Sequence, residues 1–368
     1  MGTSIPSTTN LPETMRWASA VGAIDTSIAS TTDLPEPAPW ANVYGLANAS
    51  NASFHAVVVP ISLMVRLTYT ATFGSYYKPE ETNKTIPGWE RPMTVNPKVG
   101  MRALLFLQNS TRRGVVAFRG TDLNRSGASG RCDACADQLL WHPTAKLPAS
   151  CDAFSSSTLD YWAHAVAFVR SVREAYPDID LLFSGHSLGA GLAFGLAAIT
   201  PPVRDTSIPI SPAVTFAAPE WVGVVKRRAP HVPLPSSAAA RTRFFAMADE
   251  YDPVQRQSVE HEGLIGTQCL WSSPLPAGCG PCWDRPVNMS RPACVACFIS
   301  RHIYGHYVYI DVPGPRARCQ LLPPQGAEAV FGTPPPSRRS VQAFALAGLA
   351  ALQSSGRGTG QGRATPLL

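Results

Sequence analysis

The sequence predicts an α/β fold with a mostly parallel central sheet flanked by helices. Three observations point there. Short apolar runs bounded by Gly, Pro, Asp or Ser occupy residues 103–107, 115–118, 181–183, 213–217 and 244–247; a segment of helical period lies at 159–176, and a small-residue apolar one at 188–199. Unbroken apolar runs of strand length suit strands buried on both faces, and strands alternating with helices build parallel β-α-β units. Within 159–176, Tyr161, Trp162, Val166, Phe168, Val169 and Val172 recur at roughly helical spacing until Pro177 stops the pattern.

Hydrophobic residues form 45% of the 368-residue chain and aromatics 9%, enough for a sizeable core, which rules out wholesale disorder. The ends differ in character. Residues 3–13, TSIPSTTNLPE, recur as TSIASTTDLPE at 26–36, and this Ser/Thr/Pro composition is too poor in apolar surface to offset ordering entropy. Residues 1–40 are therefore expected to be a disordered leader, 41–312 the folded domain, and 313–368, with PGPRAR, PPPSRR and GRGTGQGR, a largely disordered tail. The balance of 31 basic against 25 acidic residues, +6, is modest and scattered, which argues against nucleic acid as the principal partner. No apolar run reaches the ~18 to 20 residues of a membrane span, so no integral span is expected.

Between the third strand and the helix after it stands Gly185-His186-Ser187-Leu188-Gly189, a G-x-S-x-G motif. A serine on the tight turn from a buried strand into a helix takes a strained backbone, and the glycines two before and two after give the clearance. The turn exposes the Ser187 hydroxyl at the sheet edge. The helix that begins there aims free N–H groups, Leu188 first, at any oxyanion forming beside it.

GHSLGAGLA, the upstream VVAFRGTD and the downstream VTFAAPEWVG together resemble the class 3 (fungal-type) lipase family of α/β-hydrolases, over residues 104–309. The resemblance implies an α/β-hydrolase that cleaves carboxylic esters of lipids at a lipid–water interface through a serine acyl-enzyme, with no metal or organic cofactor. A serine hydroxyl needs a base, the base needs an orienting carboxylate, and α/β-hydrolases carry them in the order Ser, acid, His. The resemblance assigns the acid to Asp252, before Pro253-Val254, with Asp249 as runner-up. It assigns the base to His306, three residues before Tyr309, while His302 and His261 remain candidates. The F-R-G-T element, Phe118 to Thr121, implies that Thr121 offers its N–H and hydroxyl to the oxyanion beside the Leu188 N–H. The stretch between Thr121 and Ser155 corresponds to the family's lid; Leu139, Leu140 and Trp141 are either its apolar underside or core.

Nine cysteines include the CxxC pairs Cys132/Cys135, Cys279/Cys282 and Cys294/Cys297. Cys279-Gly-Pro-Cys282 copies a redox tetrapeptide but does not open a helix in a β-α-β unit, and it could also share a tetrahedral zinc with CVAC. With six Asn-x-Ser/Thr sequons, at Asn48, Asn51, Asn83, Asn109, Asn124 and Asn288, disulfides bracing a Cys-rich insertion between acid and base are the favoured reading, and the protein is expected to be glycosylated and to enter the secretory route. The N-terminus carries no clear signal peptide. Phospholipase A1, galactolipase and feruloyl esterase activities remain open on the same scaffold. So does a non-catalytic hydrolase-like binding protein.

Overall fold

The computed structural model describes residues 51–70, 86–123, 127–144, 146–203, 209–254, 265–271, 278–283, 292–302 and 318–321. Helix α1 (Asn51–Thr70) precedes strands β1 (Glu90–Val95), β2 (Ala103–Gln108) and β3 (Arg113–Phe118). Helices α2 (Ala128–Trp141) and α3 (Tyr161–Ala175) lead to β4 (Asp180–His186), and α4 (Leu188–Ile199) to β5 (Ala213–Phe216). After α5 (Val222–Arg228) and α6 (Ser237–Arg243) come β6 (Phe244–Asp249), β7 (Thr267–Trp271), α7 (Pro292–His302) and β8 (Arg318–Leu321).

Among the described residues eight strands form one sheet in chain order, β1 to β8. From β3 to β7 all neighbours are parallel, and antiparallel strands flank that centre: β1 and β2 at one edge, β8 at the other. This is the α/β-hydrolase architecture. The apolar runs work as expected, because β2, β4 and β6 are buried on both faces. Alternate side chains feed two cores. Leu105, Leu107, Val116, Phe118 and Phe183 pack with residues of α2 to α5. Leu104, Phe106, Val115, Leu182, Phe216 and Phe245 face the other way, against Val58, Ile61, Met64 and Val65 of α1. Each fully buried phenylalanine is worth about 1.5–3 kcal/mol relative to exposure.

Strands β1, β7 and β8 and helices α1, α2, α5, α6 and α7 escaped the apolar-run reading. Strand β1 alternates between exposed and half-buried residues, so it has no apolar run to recognise. Strand β8 lies within the stretch expected to be tail, which extends the sheet beyond residue 312. The repeats at 3–13 and 26–36 and the stretch after 321 lie outside the described residues. No helix among the described residues is long and apolar enough to cross a membrane.

Two disulfides, Cys279–Cys297 and Cys282–Cys294, join the segment at 278–283 to α7, and Phe298 is buried with them. These four thiols are thus engaged with each other and are not ligands for zinc. A third bridge, Cys135–Cys151, ties α2 to the turn before α3. Cys269, opposite Cys319 in the β7–β8 register, is also disulfide-bonded. Among the described residues Cys132 is the free thiol, and burial pushes its pKa up.

Candidate active site

The carboxyl ends of the parallel strands share one edge, and α/β folds assemble their sites there. Strand β4 ends at His186 and α4 starts at Leu188, so Ser187 alone makes the turn. Its backbone has φ 54° and ψ −126°, a conformation that costs a residue with a Cβ of order 1–3 kcal/mol. Three backbone bonds hold it: the Ser187 N–H donates to Phe216 O at 3.0 Å, and Ser187 O accepts from the N–H groups of Ala190 (2.8 Å) and Gly191 (3.2 Å). The flanking glycines are required by contact. A Cβ on Gly185 would lie 2.3 Å from Gly189 O, and one on Gly189 2.4 Å from Phe118 O.

His302 is the last residue of α7, and its Nε2 lies 2.7 Å from Ser187 Oγ. The other ring nitrogen, Nδ1, is 2.9 Å from Asp252 Oδ2, whose side chain is fully buried. A carboxylate can only accept, so Nδ1 carries the proton and Nε2 presents its lone pair to the serine hydroxyl. Asp252 is itself fixed by two backbone bonds, its N–H donating to Asp249 O and its Oδ1 accepting the Val254 N–H, both at 2.9 Å. Asp249, the runner-up acid, faces Arg301 at 3.6 Å and accepts the Tyr251 N–H. The carboxylate that ends β6 and the one three residues beyond it therefore engage successive residues at the end of α7.

The imidazole at Ser187 among the described residues is that of His302, the alternative to His306, and it occupies the hydrogen-bonding position between Ser187 and Asp252. His306 and His261 lie outside the described residues. Sequence alone weighted the aromatic run at 304–309, whereas α7 decides by ending where its last side chain meets Asp252.

Beside Ser187, β3 runs into Arg119-Gly120-Thr121. Gly120 packs so tightly that an added Cβ would sit 2.4 Å from His186 O and 3.1 Å from Ser187 Cβ. Thr121 follows, but its hydroxyl donates to a carboxylate oxygen of Asp137 on α2. That single proton is committed, so the Thr121 N–H is what this residue can offer an oxyanion. The other donor in reach of sequence reasoning, the Leu188 N–H, opens α4, where the first amides have no intrahelical acceptor.

Helix α2 is bound to this loop by buried polar contacts. Asp133 Oδ2 accepts from Arg119 Nη2 at 2.5 Å and from the Asp122 N–H at 2.8 Å, and its Oδ1 accepts from the Tyr161 hydroxyl. The Trp141 indole N–H donates to Asp137 Oδ1 at 3.0 Å. Leu140 is buried in the core, with Leu139 and Trp141 packed against it, and the Trp141 ring lies on Gly191 of α4. The three side chains named for a lid underside therefore pack in or against the core, and Trp141 joins α2 to α4. Asp133, Asp137 and Tyr69 had no sequence signal as site residues, because α2 brings the first two to the loop and α1 brings Tyr69, each from a distance along the chain.

Residues 115–225, from β3 to α5, match the family model described as Lipase (class 3). The segment is class 3 lipase-like. Over 172 residues the chain is 31% identical to the Candida glabrata protein named "Putative lipase ATG15". That match covers 40% of this chain and 31% of the relative, so this chain spans under a third of its length. Among solved structures, lipase II of Rhizopus niveus is 16% identical with a TM-score of 0.38, covering 60% of this chain and 82% of that one. The Lip2 lipase of Yarrowia lipolytica is 16% identical with a TM-score of 0.37, covering 62% and 80%. The class 3 lipase-like segment contains Ser187 and the Gly120–Thr121 loop, while Asp252 and His302 lie beyond it.

Proposed function

We propose that this protein is a serine ester hydrolase that cleaves carboxylic esters of lipids through an acyl-enzyme. The observation that carries this reading is the hydrogen-bonded series Ser187 Oγ, His302 Nε2, His302 Nδ1, Asp252 Oδ2 beneath a strained turn. His302 accepts the Ser187 proton as Oγ attacks the ester carbonyl carbon, and Asp252 stabilises the imidazolium that results. The negative charge on the carbonyl oxygen is held by the N–H groups of Leu188 and Thr121. Losing one such donor typically costs ~2.7–4 kcal/mol in the transition state. His302 then gives its proton to the departing alkoxide, leaving the acyl group on Ser187. Water, deprotonated by the same imidazole, releases the acid and restores the hydroxyl. Every proton in this cycle passes through His302, and the steps need no cofactor.

The lipid substrate and its interface are inferred from the class 3 lipase-like segment. The bridges at Cys135–Cys151, Cys279–Cys297 and Cys282–Cys294 support folding in an oxidising secretory compartment. Exposed Asn109 is a sequon asparagine on the surface beside β2 that such a compartment would glycosylate. Hydrolysis of a p-nitrophenyl ester tests the reaction: Ser187→Ala is expected to remove it with the fold intact, and retained activity contradicts the mechanism. A panel of triacylglycerol, phospholipid, galactolipid and feruloyl esters then assigns the substrate.

A further inference from the structure

His186, the residue between Gly185 and Ser187, is buried, and its ring lies 4.9 Å from that of His302. Its Nε2 is 2.7 Å from the backbone carbonyl oxygen of His302. A carbonyl only accepts, so Nε2 carries the proton, and Nδ1 is left as an acceptor. The Tyr69 hydroxyl stands 2.7 Å from that Nδ1 and must therefore donate to it. The same hydroxyl oxygen accepts the Gly120 N–H at 2.9 Å. One directed chain thus runs from the Gly120 N–H through Tyr69 and His186 to His302 O. Its ends are the loop that presents Thr121 and the backbone that carries the imidazole.

The last carbonyls of a helix have no partner within the helix, and His302 is where α7 ends. We propose that His186 is a positioning residue: it caps α7 at the His302 carbonyl and, through Tyr69, holds the catalytic imidazole and the Gly120–Thr121 loop in one fixed relation. Burial lowers the His186 pKa well below its ordinary value, and burial keeps the Tyr69 phenol protonated, so both groups hold the hydrogen positions the chain requires. Tyr69 comes from α1, on the opposite face of the sheet from α2 and α4, so the two layers meet at this chain.

The proposal rests on the reading of Ser187, His302 and Asp252 given above, and its test separates the two. Variants His186→Leu, His186→Gln and Tyr69→Phe are assayed on p-nitrophenyl butyrate well below each melting temperature, with kcat expressed per serine titrated by a fluorophosphonate. His186→Leu removes both His186 bonds, Tyr69→Phe removes the bonds to Gly120 and to His186 Nδ1 but keeps the cap on His302 O, and His186→Gln keeps an N–H near the Nε2 position. His186→Leu and Tyr69→Phe are expected to lower kcat roughly ten- to hundred-fold with KM little changed, the scale of a small misplacement of reacting groups. His186→Gln is expected to recover most of the His186→Leu loss, even where its melting temperature falls equally. In parallel, the low-field proton resonance of the His302–Asp252 hydrogen bond, assigned by its loss in Asp252→Asn, should broaden in His186→Leu and return in His186→Gln. An inactive wild type would refute the hydrolase reading, and the resonance would still decide the positioning role. A His186→Leu protein with wild-type kcat per site, or with an unaltered resonance, overturns it.

Discussion

Ser187 holds a backbone conformation that costs free energy, and the surroundings leave it no other. Gly185 and Gly189 face each other, with less room than a methyl group requires. Gly185→Ala would set its Cβ against backbone atoms that cannot yield, so a loss of about 1–3 kcal/mol or more is expected, read as a lower urea midpoint. Asp252→Asn replaces an acceptor with a group that can also donate, and it stabilises the wrong His302 tautomer. A kcat fall of up to ~10⁴-fold with an unchanged circular dichroism spectrum is expected, while near-normal turnover would remove Asp252 from the mechanism. The elbow was legible because strand, turn and helix are contiguous and their requirements local. The base was not. His302 and His306 stand four residues apart, and what selects between them is where α7 stops and which carboxylate its end meets.

Helix α7 carries His302 at one end and two disulfides along its length, with Cys294 and Cys297 paired to Cys282 and Cys279. Each bridge closes a short loop, and such loops contribute about 3 kcal/mol by limiting the unfolded chain. Reduction and alkylation of these bridges should free α7 from its anchor and cost most of the proposed esterase activity, with the signal of the central sheet retained. Full activity after complete alkylation would mean that Asp249 and Asp252 suffice to hold the helix. That the cysteines brace the region before the base followed from composition and sequons, but their pairing did not. A CxxC pair can bond internally, to metal, or outward as here, and only folding chooses. Helix α2 carries the same lesson: its Leu-Leu-Trp run reads equally as lid or core, and buried Asp133 on Arg119 resolves it towards packing.

At the scale of the molecule, two apolar layers sandwich a sheet whose central strands were readable because burial on both faces leaves unbroken apolar runs. Edge strands β1 and β8 and covering helix α1 were not, since they depend on what they lie against. The buried layer also holds a neutral histidine. Burial, then the neighbouring His302 charge, depress the His186 pKa, while Asp252 opposes them; Tyr69 packs beside it. Above about pH 6.5 the ring is neutral in both folded and unfolded chains, so it contributes no pH dependence. Below that value the unfolded chain takes up a proton that the folded one refuses, and stability falls as pH falls, by at most ~1.4 kcal/mol per pH unit for this group. Urea unfolding at pH 7.5 and pH 5.0 should show a smaller acid loss in His186→Gln than in the wild type; equal losses would place the sensitivity elsewhere. Fluorophosphonate labelling with peptide mapping in His302→Ala and His306→Ala reports which imidazole activates Ser187. Ser187 labelling is expected to be lost in the first and retained in the second; the reverse result would rule out His302 as the group that activates Ser187.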